Sequence, residues 1–176
     1  MRRRLSESEI TEAELVFAQS LNYSIIWVHE EQNLPNLIGR LGAALNREAP
    51  PARNAITLRN HLYFPIRLDT SADAILEMRF THMAWLIHEL THAWQYQHTG
   101  IRYLWDAIKV QVRKGRKSYD FGGEEGLQDA LDEQKHFLDF NPEQQGAITQ
   151  SYYVSFKSGA PTDVWDPFID QIQSTP

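Results

Sequence analysis

Cysteine is absent from this chain of 176 residues. Disulfide bonds are therefore excluded, and so are thiolate ligands for a metal ion. Any metal site in the chain must be built from histidine, aspartate or glutamate side chains. The absence of cysteine is compatible with every redox compartment, so it identifies none of them.

Long apolar runs and an excess of positive charge are absent as well. No segment approaches the roughly 18 apolar residues of a membrane span, so we predict no membrane insertion. The net charge is −6 and the pI is about 5.6, which gives no electrostatic support for a nucleic-acid partner. Arg2, Arg3 and Arg4 precede a polar segment, which predicts solvent-exposed arginines and no cleavable signal peptide. We expect a protein made in the cytoplasm, and export by a route without a cleavable signal stays open.

The length of the chain is typical of one domain, so residues 1–176 are predicted to form a single domain. Ser6 and Glu9 have the spacing of a capping box and predict a helix that extends to about Gln19. The segment Tyr23–Val28 is rich in β-branched and aromatic residues, which predicts a buried strand. The chain is therefore expected to begin with a helix that is followed by a strand.

Turn and cap signals predict two further elements. Two short extended runs flank Arg59-Asn60 and stop at Pro65, which predicts a tight hairpin. Asn141 as N-cap and Pro142 in the first helical position predict a helix that extends to about Phe156. The proline- and glycine-punctuated segment 33–51 is predicted to be irregular or to hold a short helix.

The remaining patterns complete the predicted fold. Apolar periodicity from Ile101 to Val112 predicts an amphipathic helix, and the segment 163–172 predicts a short one. The basic run 113–117 is typical of a solvent-exposed turn. Strands that precede a long helix and are followed mostly by helices predict an α+β domain. This domain is expected to be mostly helical, with a small antiparallel sheet or hairpin beside the long helix.

The segment Leu86–Gln95 contains the motif HExxH within a helix predicted to run from about residue 81 to 98. On a helix His88 and His92 lie one turn apart on the same face, where two neutral imidazoles can bind one zinc ion. Glu89 lies about 80° around the helix axis from the midpoint of the two histidines, so its carboxylate reaches a water on the metal rather than the metal itself. Two ligands and a carboxylate that accepts a proton from water are the arrangement of zinc hydrolases.

Chance matches to HExxH are rare, because about 0.02 are expected in a chain of this length and composition. Its sequence context also fits a helix. Met83, Ile87, Leu90 and Trp94 recur at helical spacing and form an apolar face, and Gly100 fits the end of the helix. The alternative is a partly buried helix whose histidines only form hydrogen bonds with neighbouring groups.

A catalytic zinc site usually has three protein ligands, and the residues alone leave the third ligand open. His98 has the spacing of the longer motif HExxHxxGxxH, but Gln95 replaces the glycine that lets the chain turn back. If the helix continues through Gln95, His98 points about 100° away from the histidine pair. A carboxylate from a later helix is the other solution, and the candidates are Glu124, Glu125, Asp129, Asp132, Glu133 and Glu143.

Several blocks along nearly the whole chain resemble a single family. They are Leu5-Ser6 with Glu9-Ile10, Val16-Phe17, Asn22-Tyr23-Ser24, the HELTHAWQ block at 88–95, and Asn141-Pro142-Glu143-Gln144-Gln145 followed by Tyr152-Tyr153. In this order they resemble small bacterial zincin-like proteins known as Vgr-related or Rhs-associated, and the metallopeptidase domains attached to type VI secretion spike proteins. The chain departs from that pattern at Gly146, where alanine is common, and in extra residues around 71–80.

The resemblance implies a zincin-like fold in which Glu143 is the third zinc ligand. Tyr152 and Tyr153 follow Glu143 on the same predicted helix, and either phenol is a candidate donor of a hydrogen bond to a developing oxyanion. The alternative for both tyrosines is that they are core aromatic residues.

Together these features predict a zinc-dependent metallopeptidase. His88, His92 and Glu143 would bind Zn²⁺, and Glu89 would be the general base in hydrolysis of a protein or peptide substrate. The resemblance implies a secreted antibacterial effector of a contractile type VI system, with an immunity protein or a secretion spike protein as partner. Two alternatives stay open. One is a non-catalytic, zinc-stabilised adaptor or scaffold of the secretion apparatus, and the other is a hydrolase of peptidoglycan peptides.

Overall fold

A computed structural model describes residues 1–32, 55–100 and 119–176 of the chain. Three sequence predictions lie outside these residues: the irregular segment 33–51, the helix from Ile101 to Val112 and the basic turn 113–117. The described helices are α1 Glu7–Phe17, α2 Ala72–Leu76, α3 Thr81–Thr99, α4 Gly123–Asp132, α5 Pro142–Lys157 and α6 Asp166–Gln173. The described strands are β1 Arg2–Arg3, β2 Trp27–His29, β3 Ile56–Leu58 and β4 His61–Tyr63.

Helix α1 begins at the predicted capping box. The Ser6 hydroxyl accepts a hydrogen bond from the backbone N–H of Glu9 at 3.2 Å, and the Glu9 carboxylate accepts one from the backbone N–H of Ser6 at 2.8 Å. These two bonds satisfy backbone donors that the first turn of a helix otherwise leaves unpaired. The helix buries Ala13, Val16 and Phe17 in the core. Both its start and its approximate length were predicted from the sequence.

Helix α3 carries the HExxH motif through the centre of the molecule and packs along α5. Its apolar residues Met83, Ile87 and Leu90 are buried, as the helical periodicity predicts. The helix ends at Gly100, whose φ of +76° is readily adopted only by glycine. Gln95 lies inside the helix, so the chain does not turn back at this residue.

The strands form a sheet of order β1-β2-β4-β3, in which β3 is the edge strand next to α3. Strands β3 and β4 are the predicted hairpin around Arg59-Asn60. Strands β2 and β4 pair in parallel, so the sheet as a whole is mixed, while the antiparallel hairpin expected beside the long helix is present. The predicted strand Tyr23–Val28 is also shorter than expected, because Asn22 accepts a hydrogen bond from the backbone of Ser24 and caps a 3₁₀ turn at Tyr23–Ile25.

The N-terminal arginines have two different environments. Arg2 and Arg4 are exposed, as predicted, and their guanidinium groups lie 3.7 and 3.6 Å from the centre of the Trp27 ring. Arg3 was also predicted to be exposed, and that prediction was wrong. Its guanidinium binds the buried carboxylates of Glu9 at 2.7 Å and Glu30 at 2.9 Å. A basic run has no apolar period, so the sequence gives no sign that its middle residue points inward.

The remaining helices complete the core. Helix α6 corresponds to the helix predicted at 163–172, and it buries Phe168, Ile169 and Ile172. Helices α2 and α4 were not predicted, and α2 lies within the extra residues around 71–80. The molecule combines helices with a small sheet, which confirms the α+β class. Within the described residues, no helix is both long and apolar enough to cross a membrane.

Candidate metal centre

Helices α3 and α5 bring His88, His92 and Glu143 together in the interior. The three side chains are buried, with 6%, 7% and 5% of their surface exposed. One ligand atom from each residue lies within 4.8 Å of the other two. His88 and His92 meet because they are one turn apart on α3, and Glu143 faces them from the first turn of α5. This group can therefore hold a metal ion.

The distances within the group match those between ligands of a single metal ion. The Nε2 atoms of His88 and His92 lie 3.4 and 3.7 Å from the same Oε2 atom of Glu143. Bonds of about 2.0–2.1 Å in a tetrahedral site place ligand atoms roughly 3.4 Å apart. Direct hydrogen bonds from nitrogen to a carboxylate are shorter, at about 2.7–2.9 Å. The spacing thus fits a metal ion between the three atoms better than direct pairing.

Charge in the site also favours a cation. Burial by itself would raise the pKa of the Glu143 carboxyl and lower that of the His92 imidazole. Their mutual attraction outweighs burial, so the pKa of Glu143 lies well below its usual range and the pKa of His92 rises to about 9. A buried carboxylate therefore requires positive charge beside it. A proton on His92 can supply this positive charge, and so can a divalent metal ion bound between the side chains.

The two imidazoles are held differently. His92 Nδ1 lies 2.9 Å from Oε1 of Gln95, whereas His88 Nδ1 is buried without a hydrogen-bond partner in the described part of the chain. The His88 ring lies against Gly146 of α5, where an added Cβ would come within 2.6 Å of its Cε1 atom. Alanine at this position would therefore displace the ring of His88. Gly146 therefore leaves the space that the His88 ring occupies.

Glu89 is buried beside the histidines and is held by the sheet. Burial lowers the pKa of His92, whereas Glu143 and, to a smaller extent, the carboxylate of Glu89 raise it. The Thr57 hydroxyl lies 2.7 Å from Oε2 of Glu89 and 3.1 Å from its backbone oxygen. Thr57 was not identified from the sequence. Its signal is the alternation in Ile56-Thr57-Leu58, where the polar residue is the one that is buried.

The other candidates for the third ligand do not reach the histidine pair. His98 Nδ1 lies 2.8 Å from the Trp94 backbone oxygen, and its ring packs on the Trp94 ring at 4.7 Å. Glu133 is exposed and pairs with Lys135 at 2.6 Å. The remaining candidates on α4 are also exposed: Glu124, Glu125, Asp129 and Asp132. The structure therefore brings Glu143, and not His98 or Glu133, to the two histidines.

The two tyrosines proposed as oxyanion donors make their contacts elsewhere. The Tyr153 hydroxyl donates to Glu12 at 2.8 Å, which ties α5 to α1. Tyr152 is buried against Phe156, with ring centres 5.8 Å apart. Among the described residues, neither tyrosine contacts the histidines or Glu143, and both belong to the buried core. A different tyrosine lies close to the histidines: the ring of Tyr119 is 5.8 Å from that of His88. It lies in no motif, so the sequence did not indicate it.

Comparison with known proteins identifies a relative and a solved structure. No protein-family model matches the chain. The chain is 32% identical over 152 residues to the type VI secretion system spike protein VgrG2b of Pseudomonas aeruginosa. The match covers 86% of this chain but only 13% of the spike protein, so the chain corresponds to a small part of that relative.

The solved structure is the effector domain of Pseudomonas aeruginosa VgrG2b. It matches with a TM-score of 0.60 and 27% sequence identity, and the match covers 94% of this chain and 83% of that domain. The agreement of sequence and fold over nearly the whole chain indicates common ancestry. This chain is therefore homologous to the effector domain of a type VI secretion spike protein.

Proposed function

We propose that this chain is a zinc-dependent metallopeptidase that acts as an effector of type VI secretion. The observation that carries the proposal is the buried group of His88, His92 and Glu143 at the ligand spacing of zinc, with the carboxylate of Glu89 beside it. Two histidines and one carboxylate are a common donor set of catalytic zinc, which leaves a fourth position for water or substrate. The HExxH helix lies beside β3, which is at the edge of the described sheet, and this supports a zincin-like arrangement.

The chemistry divides between the metal and Glu89. A zinc ion at this site would supply a Lewis acid for the scissile carbonyl and lower the pKa of a water molecule. Glu89 would accept a proton from the attacking water and transfer it to the leaving amine nitrogen. A new carbon–oxygen bond then replaces the peptide carbon–nitrogen bond. Thr57 holds one oxygen of Glu89, so the other oxygen is available for this proton transfer.

Strand β3 supports a proposal for the substrate class. In the described residues this strand is at the edge of the sheet, and its central residue Thr57 contacts Glu89. An extended peptide that pairs with the edge strand would bring its carbonyl groups to the metal. We therefore propose a protein or peptide substrate bound in extended form.

The secretion role rests on homology. The homologous region belongs to a spike protein in Pseudomonas aeruginosa, which favours delivery of this chain with a secretion spike into a target cell. A toxic hydrolase in the producing cell calls for an immunity protein, and we propose one as the second partner.

Zinc content and growth inhibition test the proposal directly. The purified chain should contain close to one zinc per molecule, measured by ICP-MS. Zinc should be lost in Glu143→Ala and retained in His98→Ala. The second variant is the matched control, because His98 was also a candidate for the third ligand.

Bacteria that produce the chain should stop growing, either when the chain stays in the cytoplasm or when an added export signal carries it out. Glu89→Gln should bind zinc and permit growth. A wild-type protein without zinc after reconstitution would refute the proposal.

The deep burial of the site favours one competing function. A structural zinc site needs no open position for a substrate, and the three ligands and Glu89 are each less than a tenth exposed. A non-catalytic, zinc-stabilised adaptor of the secretion apparatus would need His88 and His92 for folding but would tolerate Glu89→Gln. Full biological function of that variant would favour the adaptor. Cleavage of cell-wall peptides but not of proteins by the wild type would instead identify a peptidoglycan hydrolase with the same chemistry.

A further inference from the structure

We propose that Gln95 is a positioning residue for the metal site. Its side-chain amide fixes the tautomer of His92 and connects α3 to the start of α5, which carries Glu143. This inference rests on the proposed zinc site and assigns to it a residue outside the HExxH motif. Gln95 is only 2% exposed and lies one turn after His92 on α3.

Backbone carbonyl groups determine the orientation of two buried amides. The Gln95 Nε2 atom lies 3.1 Å from the Pro142 backbone oxygen and 3.0 Å from Oε1 of Gln145. A backbone carbonyl only accepts hydrogen bonds, so the NH₂ group of Gln95 must be the one that faces Pro142. In the same way Gln145 donates from Nε2 to the Phe140 backbone oxygen at 2.7 Å, which turns its own Oε1 toward Gln95. Both amide orientations are therefore fixed by partners that cannot donate.

The tautomer of His92 follows from this orientation. With its NH₂ group on Pro142, Gln95 presents Oε1 to His92, 2.9 Å from Nδ1. An amide oxygen only accepts, so Nδ1 of His92 must carry a proton. In the neutral imidazole the lone pair is then on Nε2, which is the atom 3.7 Å from the Glu143 carboxylate. The amide chain thus leaves free the nitrogen that faces the other two ligands.

The same side chain also connects the two helices that supply the ligands. Pro142 is the first residue of α5, and Glu143 follows it directly. Gln95 is therefore hydrogen-bonded both to one ligand and to the residue before another. Because Gln95 and Gln145 are both buried, water does not readily replace these bonds when they are removed. Loss of the amide should therefore loosen His92 and Glu143 together.

Substitution of Gln95 by methionine tests this role on the full chain. Methionine keeps the length and the apolar stem of the side chain and removes the three hydrogen bonds of the amide. Partners of metal-bound imidazoles typically contribute 10–100-fold to metal affinity. We expect the zinc Kd of Gln95→Met, measured by competition with a chelator, to rise by that factor. The visible absorption spectrum of the Co²⁺-substituted protein should change as well, because the ligand geometry changes.

Gln97→Met is the matched control. Gln97 lies on the same helix and donates to Asn60 at 2.9 Å, so its substitution also removes a long-range hydrogen bond. It contacts no member of the cluster in the described residues, and we expect wild-type zinc affinity and an unchanged Co²⁺ spectrum. Wild-type affinity in Gln95→Met would overturn the inference. An equal loss of affinity in both variants would also overturn it, because the effect would then reflect general destabilisation.

Zinc binding by the wild type separates failure of the proposed function from failure of this inference. If the wild type binds no zinc, the proposed function itself fails. If the wild type and Gln95→Met bind zinc equally well, only the role of Gln95 fails. Should Gln95→Met not fold, ¹⁵N-histidine NMR of the zinc-loaded wild type gives the answer. We expect Nδ1 of His92 to be protonated, with slow exchange of that proton. A His92 ring protonated at Nε2 would overturn the inference.

Discussion

Thr57 places a hydroxyl group against the residue that is proposed to transfer the proton. The hydroxyl has one hydrogen, and the shorter of its two contacts is to Oε2 of Glu89 at 2.7 Å. Thr57→Val preserves the shape of the side chain and removes this donor, so one carboxylate oxygen is left without its partner. We expect kcat on a cleaved substrate to fall by about 10–100-fold, with zinc affinity within about twofold of wild type. Thr57→Ser restores the hydroxyl and should restore most of the activity.

Thr149→Val is the matched control for this prediction. Thr149 is also a buried threonine, and its hydroxyl pairs with that of Thr91 at 2.6 Å rather than with Glu89. Its substitution should lower thermal stability while leaving kcat close to wild type. Equal kcat values for wild type and Thr57→Val would show that the hydroxyl does not position the general base.

Individual site residues differ in how far the sequence could identify them. His88, Glu89 and His92 follow from HExxH alone, because three positions on one helix have a fixed geometry. Glu143 came from family resemblance, since many carboxylates follow the motif and helical spacing does not rank them. The contacts of Thr57 with Glu89 and of Gln95 with Pro142 join segments that are distant in the chain. No local pattern encodes such pairs.

At the scale of elements, the start of α5 determines where Glu143 lies. The Asn141 side chain accepts hydrogen bonds from the backbone N–H groups of Glu143 and Gln144 at 3.0 and 3.1 Å. Asn141→Ala should lower the free energy of unfolding by about 1 kcal/mol, the usual cost of losing an N-cap. Because the frayed turn contains a ligand, we expect weaker zinc binding as well. Denaturant unfolding and chelator competition measure the two effects.

Asn141→Asp is the rescue variant. Aspartate keeps the accepting oxygen and adds a negative charge near the positive end of the helix, so stability and zinc affinity should return toward wild type. Lower stability with unchanged zinc affinity in Asn141→Ala would mean that α3 alone positions Glu143. This outcome would contradict the proposed dependence of the site on the cap.

Elements with a local signal were predicted well, and those without one were missed. The capping box at Ser6, the cap at Asn141 and the hairpin at Arg59-Asn60 are each specified by a few adjacent residues. The 3₁₀ turn at Tyr23–Ile25 was mistaken for a strand, because the apolar and aromatic content that favours strands says nothing of the Asn22 cap. Helix α2 has five residues, too few to show a helical period.

At the scale of the whole molecule, the class of the fold was predictable and its topology was not. The order of strands and helices along the chain was sufficient for the α+β class. The parallel pairing of β2 with β4 joins residues 27–29 with 61–63, and no pattern within either strand specifies this partner. The inward position of the Arg3 guanidinium is of the same kind, because it depends on carboxylates from two different segments. Pairing over long sequence distances is decided by packing, which single-sequence patterns do not contain.

The charge balance of the whole site gives a dependence on pH. In the metal-free protein burial opposes a charged His92, but the Glu143 carboxylate raises the pKa of His92 to about 9. Histidine in an unfolded chain has a pKa of about 6.5, so the protonated form stabilises the fold fully below that pH. This contribution is lost as the pH rises toward 9. The pKa of Glu143 is lowered, so Glu143 stays ionised throughout this interval.

Zinc competes with the proton on His92, so zinc affinity should rise with pH while the stability of the metal-free protein falls. Each zinc that binds below pH 9 displaces about one proton from His92, and the affinity should rise roughly tenfold per pH unit up to that point. We therefore expect the Tm of the metal-free protein to fall between pH 6.5 and 9 while zinc affinity increases. In Glu143→Gln the pKa of His92 loses its main support, so the fall in Tm should be smaller. Zinc affinity that did not change between pH 7 and 9 would mean that His92 is already neutral before the metal binds.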